Sequence, residues 1–473
     1  MKLLLVVTVI INLFGQEKKS LDQIILFHTY NSDYAIADSL IDEQIKRDPT
    51  HPKYHFFRSA IFFLKAGYQV NETERDSLIN LAIVAAEEAV DLAEDREMTT
   101  ENKFYLGAAH GYLGRAHGMQ RSYFSALKHG RKGKELLEEV VEEDPEYWDA
   151  YLGLGIFNYY VDKLGSGILR PVVWILGMSG DREKGLRYLK LARDKGKLAF
   201  AEATAVLGTI YYSMEHDYHK ARYYADSFNK TYPNNKAFWI YYYRLLDTMN
   251  DYKTLEKMIA SDNNNLIPEY RKAQYYNSIG NYKKSNDYCL LVLNNQSDFR
   301  NWQIREVQSL YSFNNWILGD RKEMLKYEAD LTERDRNVKT FETYKTIDPS
   351  QAEVTKIYQL RAAVNEFKDH DKINALLAMQ VPAEPPFLNE LYHLYKGIYE
   401  YKQGQLDEAK ITFNQLLKLN GERWNALFYL IDIYEKQKTS EEEIENLLEQ
   451  VDELDSEWLS RKAERLEVKL DKM

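Results

Sequence analysis

A small residue followed twelve positions later by a helix breaker recurs along this chain, and that spacing limits what it can fold into. It runs from Ala37 to Pro49, from Gly133 to Pro145 and from Ala221 to Pro233, with weaker copies from Ser285 to Ser297 and from Ala409 to Gly421. A small side chain lets two helices cross closely. Proline ends the second helix, because it withholds a donor and clashes with the preceding turn. Leu-Gly pairs at Leu106-Gly107, Leu154-Gly155 and Leu207-Gly208 mark helices that precede the crossings. One copy would be noise. Five copies spread over nearly the whole chain predict helical hairpins stacked side by side, since no hairpin covers its own apolar face. The expected fold class is an all-α helical-repeat solenoid.

The chain divides on this reading into four parts. Residues 1–16 form a leader, and 17–250 form an N-terminal array carrying an apolar insert at 163–180. Degenerate repeats fill 251–381, and residues 382–473 resume the motif and end in a capping helix. Within the array, Leu21 to Arg47, Lys103 to Glu143 and Ala201 to Lys230 each read as a helix pair. Gly280-Asn281-Tyr282 reads as a tight inter-helix turn, with Gly280 free to take positive φ. Arg321 to Asp335 is expected as one helix, and Thr340 to Ser350 as a linker. Pro382 to Pro386 is a firmer boundary. Ser440 with Glu443 has the form of a capping box.

Composition narrows the function classes. The formal charge is −11, or −12 without the leader and its Lys2. An acidic chain is poorly suited to phosphate backbones, so nucleic acid is not an expected partner. The 37 tyrosines are numerous; their simplest role is to fill the gaps between paired helices while the hydroxyl reaches water. Lys2 followed by the apolar stretch Leu3 to Phe14 reads as a secretory signal, too short to span a membrane. Cys289 is the single cysteine, so no intramolecular disulfide forms. With no cysteine just after the leader to carry a lipid, the expectation is a bacterial protein exported to the periplasm or cell envelope.

Residues 144–196 carry the strongest local signature. Tyr151, Leu154, Gly155 and Asn158 sit in the register W-x2-L-G-x2-Y, and here the chain resembles the tetratricopeptide-repeat superfamily. The run LGLGIFNYYVDKLG, the proline-containing insert and GMSGDREKGLRYLKLA extend the likeness. Together they make residues 147–212 similar to a eukaryotic inclusion-body clearance and tetratricopeptide-like adaptor family. The resemblance implies a helical scaffold that binds proteins. It implies no catalytic residue and no cofactor.

The candidate chemistry is sparse. Gly165-x-Gly167 lacks the leading strand and the Lys-Ser/Thr pair of a phosphate loop; Ser179 or Asp181 instead caps the next helix. His51/His55 and His216/His219 have helical spacing but no third ligand, and His216 and His219 are expected to face water near a turn. No metal, no nucleophile triad and no enzymatic activity are expected. Trp174, in the insert, belongs either to a lip that meets a partner, a membrane surface or a glycan, or to an apolar segment folded back into the array. Carrying the repeat register onto the concave side nominates Tyr159, Tyr160, Thr209, Tyr212, Arg244, Gln274 and Asn277 as partner-binding residues for a protein or peptide, against the plainer reading that they face water or pack locally. The expected function is a non-enzymatic scaffold for protein–protein interaction. The alternatives are a glycan-binding repeat protein of an outer-membrane uptake system and an enzyme built on a helical-repeat frame. Aromatics clustered in one pocket favour glycan; polar residues strung along a groove favour peptide.

Overall fold

The computed structural model describes residues 19–69, 71–165, 178–332, 338–381, 384–421, 423–437, 439–454 and 456–470. The leader and Trp174 lie outside them, so the expectations for both rest on sequence alone. Among the described residues there are 25 α-helices and no strand, and the architecture is an all-α helical-repeat solenoid. Contacts group into two compact units, one ending at Leu207 but including Tyr224–Phe238, the other made of Gly208–Tyr223 and Trp239 onward.

The first unit is built from α1 (Leu21–Tyr30), α2 (Tyr34–Arg47), α3 (Pro52–Tyr68), α4 (Glu72–Glu94), α5 (Thr100–Met119), α6 (Tyr123–Glu143), α7 (Ala150–Gly165) and α8 (Arg182–Lys195). It also takes in parts of α9 (Phe200–Ser213) and α10 (Tyr218–Thr231). Each helix from α1 to α7 packs on the next, and α8 packs on α7. The leading helices of successive pairs also touch, α3 with α5 and α5 with α7. Ile25, Ile41, Phe57, Ile61, Val140 and Leu154 form one continuous core between them, each worth about 1.5–3 kcal/mol of burial. Helix ends follow local chemistry. Asn71, Thr99 and Asp181 each accept an amide from the first turn of their helix.

The second unit contains α11 (Lys236–Thr248) from Trp239 onward, α12 (Tyr252–Ala260), α13 (Glu269–Ser278), α14 (Tyr282–Asn294), α15 (Asn301–Leu318), α16 (Arg321–Leu325) and α17 (Glu328–Thr332). It continues through α18 (Val338–Thr346), α19 (Ala352–Glu366), α20 (His370–Leu377), α21 (Pro386–Lys402), α22 (Leu406–Leu419), α23 (Trp424–Lys436), α24 (Glu441–Glu453) and α25 (Glu457–Leu470). The same rule of contact holds: α13 touches α15, and α21 touches α23. All five small crossing residues named from the sequence are buried. Gly280 has φ +76°, as its turn requires, and Ser440 and Glu443 close a reciprocal capping box.

Three local expectations need correction. The stretch 340–350 is not a linker, because Phe341 and Tyr344 lie on one face of α18. Phe341 is buried, and the Tyr344 ring stacks on Trp316 at 5.0 Å. The predicted helix from Arg321 is interrupted after Leu325 and resumes at Glu328. The turn at His216 exists, with φ +48°, but Glu215, His216 and Asp217 are buried rather than water-facing; only His219 is exposed.

Candidate functional site

A sizeable cavity lies in each unit among the described residues, and the two differ in chemistry. In the first unit a cavity of about 600 Å³ opens between α3, α5, α6 and α7. Its walls are largely glycine backbone and aromatic carbon, including Gly111, Gly130, Phe56, Phe63 and Phe157. Two physical circumstances put glycine here. A Cβ on Gly133 would lie 2.8 Å from the Gly107 carbonyl, and one on Gly114 would lie 2.9 Å from the Ala126 carbonyl, so these glycines let α5 and α6 cross backbone to backbone. Gly111 is the opposite case: a Cβ there meets nothing within 4 Å. Its missing side chain is part of the empty space.

One edge of this cavity is polar. Glu202 accepts the hydroxyls of Tyr30 and Tyr112, each at 2.9 Å, and pairs with Arg115. Burial, and then the Glu202 charge, raise the pKa of both tyrosines, so they remain protonated donors. The carboxylate is thereby satisfied within the protein, and apart from Lys134 and Asp149 the rest of the wall is mostly apolar.

In the second unit a cavity of about 1040 Å³ is lined from α9 through α25 by aromatic and polar groups in near-equal measure. Tyr212, Tyr395, Phe428, Trp424 and Trp458 supply rings, and Arg244, Asp247, Arg361 and Asn365 supply polar groups. The Arg244 guanidinium lies over the Tyr212 ring, 5.8 Å from its centre. Arg361 donates from Nη2 to Asn277 Oδ1 at 2.7 Å. Asn277 donates in turn to Asn314 Oδ1 at 2.7 Å, and Asn314 Nδ2 donates to Ser285 Oγ and Asn286 Oδ1, both at 2.9 Å. This chain of buried amides aims the Arg361 head at the cavity. Burial raises the pKa of Asp247, which also accepts the Tyr252 hydroxyl at 3.0 Å.

The repeat itself is clearest beside that cavity. Gly397 of α21 faces Phe413 of α22, whose ring would lie 2.7 Å from any Cβ added there. Ala409 is fully buried at the crossing, and the Phe413 ring stacks on Tyr429 of α23 at 5.0 Å. A small residue on the first helix, a small residue at the crossing and an aromatic four residues later make the hairpin. Residues 395–456 match a family model described as a tetratricopeptide repeat. That segment is a tetratricopeptide repeat, within a chain of stacked helical hairpins. No curated protein matches it. The narrower adaptor-family likeness of residues 147–212 lies outside the matched segment.

Within this helical-repeat frame the residues nominated from sequence separate. Tyr212 and Arg244 come together in the larger cavity. Tyr160 lines the apolar one, while its neighbour Tyr159 is fully buried in the core against Gly185. Asn277 is buried and reaches the larger cavity only through Arg361. Gln274 is half-buried between Arg271 and Glu306, and Thr209 is exposed. Arg361, Asn365, Trp424 and Trp458 were not anticipated. Arg361 carried one signal: it follows Ile357 and Leu360 and precedes Val364, placing a cation on an otherwise apolar helix face. The four glycines of α5, at 107, 111, 114 and 118, carried another, because their helical spacing leaves one strip of the helix bare. Among the described residues no cluster of His, Cys, Asp and Glu has the make-up of a metal site.

Proposed function

We propose that this protein is a non-enzymatic interaction scaffold, exported to the cell envelope, whose first unit takes an apolar segment of a partner protein into its glycine-walled cavity. Tetratricopeptide repeats serve protein–protein interaction, and the cavity supplies a specific place for it. The observation carrying the proposal is the pairing of an apolar lining with open space at Gly111. A hollow of this size walled by carbon is a favourable destination for buried side chains, because it offers contacts and asks for few hydrogen bonds. The partner's apolar residues would leave water for it at about 25 cal/mol per Å². The leader Lys2 to Phe14 supports export.

A photo-cross-linking residue at Ile156, which lines the cavity, should trap the partner in the native host. Adding Gly111→Trp fills the space without a backbone clash and should abolish the cross-link while helix content stays unchanged. Undiminished cross-linking would defeat the cavity as the docking place. The mature protein should begin near residue 16; an intact Met1 on protein recovered from the host would defeat export.

A further inference from the structure

The larger cavity of the second unit asks for a different ligand from an apolar segment. Three of its features are unbalanced. Among the described residues no carboxylate makes a direct ion pair with Arg244 or Arg361, although Asp247 and Glu453 line the same cavity and Asp247 and Glu306 lie near enough to feel the charges of Arg361 and Arg244. Of the five guanidinium donors of Arg361, only one finds an acceptor among the described residues, on Asn277. Asn365 is 4% exposed and uses its Nδ2 on the Ser278 carbonyl at 2.8 Å, while its Oδ1 has no partner among the described residues. A half-buried charge such as Arg361 and a buried acceptor left this way are costly; Arg244 is exposed and keeps water as well as the Tyr212 face. The guanidinium heads call for an anion, and the Asn365 oxygen calls for a donor, which a bare carboxylate lacks.

The walls add a third requirement. Trp424 is half exposed, its ring 5.5 Å from Trp458 in an edge-to-face pair, and Trp458 in turn lies 6.0 Å from Phe428. Tyr212 and Tyr395 face the same space. Rings with polar groups between them suit a flat ligand that has C–H faces and a hydroxyl rim. Hydroxyls both donate and accept, so they answer Asn365 and Asp247 as well as the tyrosines. We propose that this cavity binds an acidic saccharide, its carboxylate held by Arg244 and Arg361 and its sugar rings set against Tyr212, Trp424 and Trp458. An acidic peptide would meet the arginines too, but it has less use for so many rings in one chamber. The site is independent of the apolar cavity in the first unit.

The test uses the full-length mature chain, with tryptophan fluorescence and calorimetry as readouts. The probes are uronic-acid oligosaccharides, neutral oligosaccharides of equal length and acidic peptides of equal charge. The uronic-acid oligosaccharide should bind and perturb the tryptophan emission, with the neutral one weaker by about tenfold or more, the worth of a charged hydrogen bond. Arg361→Gln should lose about the same factor. Trp424→Ala, a change at a half-exposed position that leaves the buried amide chain intact, should also weaken binding at unchanged helix content. Gly111→Trp should leave the affinity as it was. The proposal is overturned by equal affinity for the neutral sugar, by preference for the acidic peptide, by failure of any saccharide to bind, or by unchanged binding in Trp424→Ala.

Discussion

Replacing Gly155 with Val should lower the unfolding free energy by about 3 kcal/mol, the upper range for forcing bulk into a packed core. Gly155 on α7 meets Gly185 on α8, each facing the other's carbonyl: a Cβ on either would stand 3.0 Å from that oxygen. Leu189 presents its amide nitrogen at 2.9 Å from the same point on Gly155. These obstacles are backbone, which cannot swing aside as a side-chain end can. The contrasting substitution is Gly111→Ala, where the added methyl enters open space. It should raise stability by about 1 kcal/mol, because Gly in a helix interior costs that much relative to Ala. Urea unfolding followed by circular dichroism measures both. Equal effects at the two positions would show that helix propensity alone is at work.

The second large effect lies in the loop between α12 and α13. Asp262 accepts the amides of Leu266 and Ile267 at 2.6 and 3.2 Å and pairs with Lys272 at 2.8 Å. The two side chains are 0% and 9% exposed. Asp262→Ala strands a buried ammonium and two amides together, and should cost about 3–5 kcal/mol. Asp262→Asn keeps an acceptor for the loop and should cost less. Lys272→Met removes the cation without leaving it stranded, and should be milder than the Ala variant. Urea midpoints and hydrogen exchange of the α13 amides read the ranking. If Lys272→Met proves as harmful as Asp262→Ala, the stranded charge is not the source of the loss.

The hairpins were legible because their signals are local. A small residue, a breaker and helical periodicity fall within one stretch of chain, and Ala37, Ala221 and Ala409 each sit at a buried crossing. The segment around Phe341 misled because polar neighbours hid two aromatics spaced to share one helix face. The cavities were hardly legible, since their residues meet only after folding: Arg244 and Arg361 belong to α11 and α19, far apart in sequence. Tyr159 and Tyr160 show how narrow the margin is. Neighbours on a helix point about 100° apart, so one position fills the core and the next faces the cavity.

The amide chain from Arg361 through Asn277 and Asn314 to Ser285 has a consequence beyond holding one arginine. Apolar side chains tolerate sliding, because one methyl replaces another at little loss. Amides in a dry interior do not, since each donor has one acceptor in reach and a shift by one turn abandons all of them at once. The chain therefore works as a key cut for a single lock position: α13, α14, α15 and α19 can nest in only one mutual alignment.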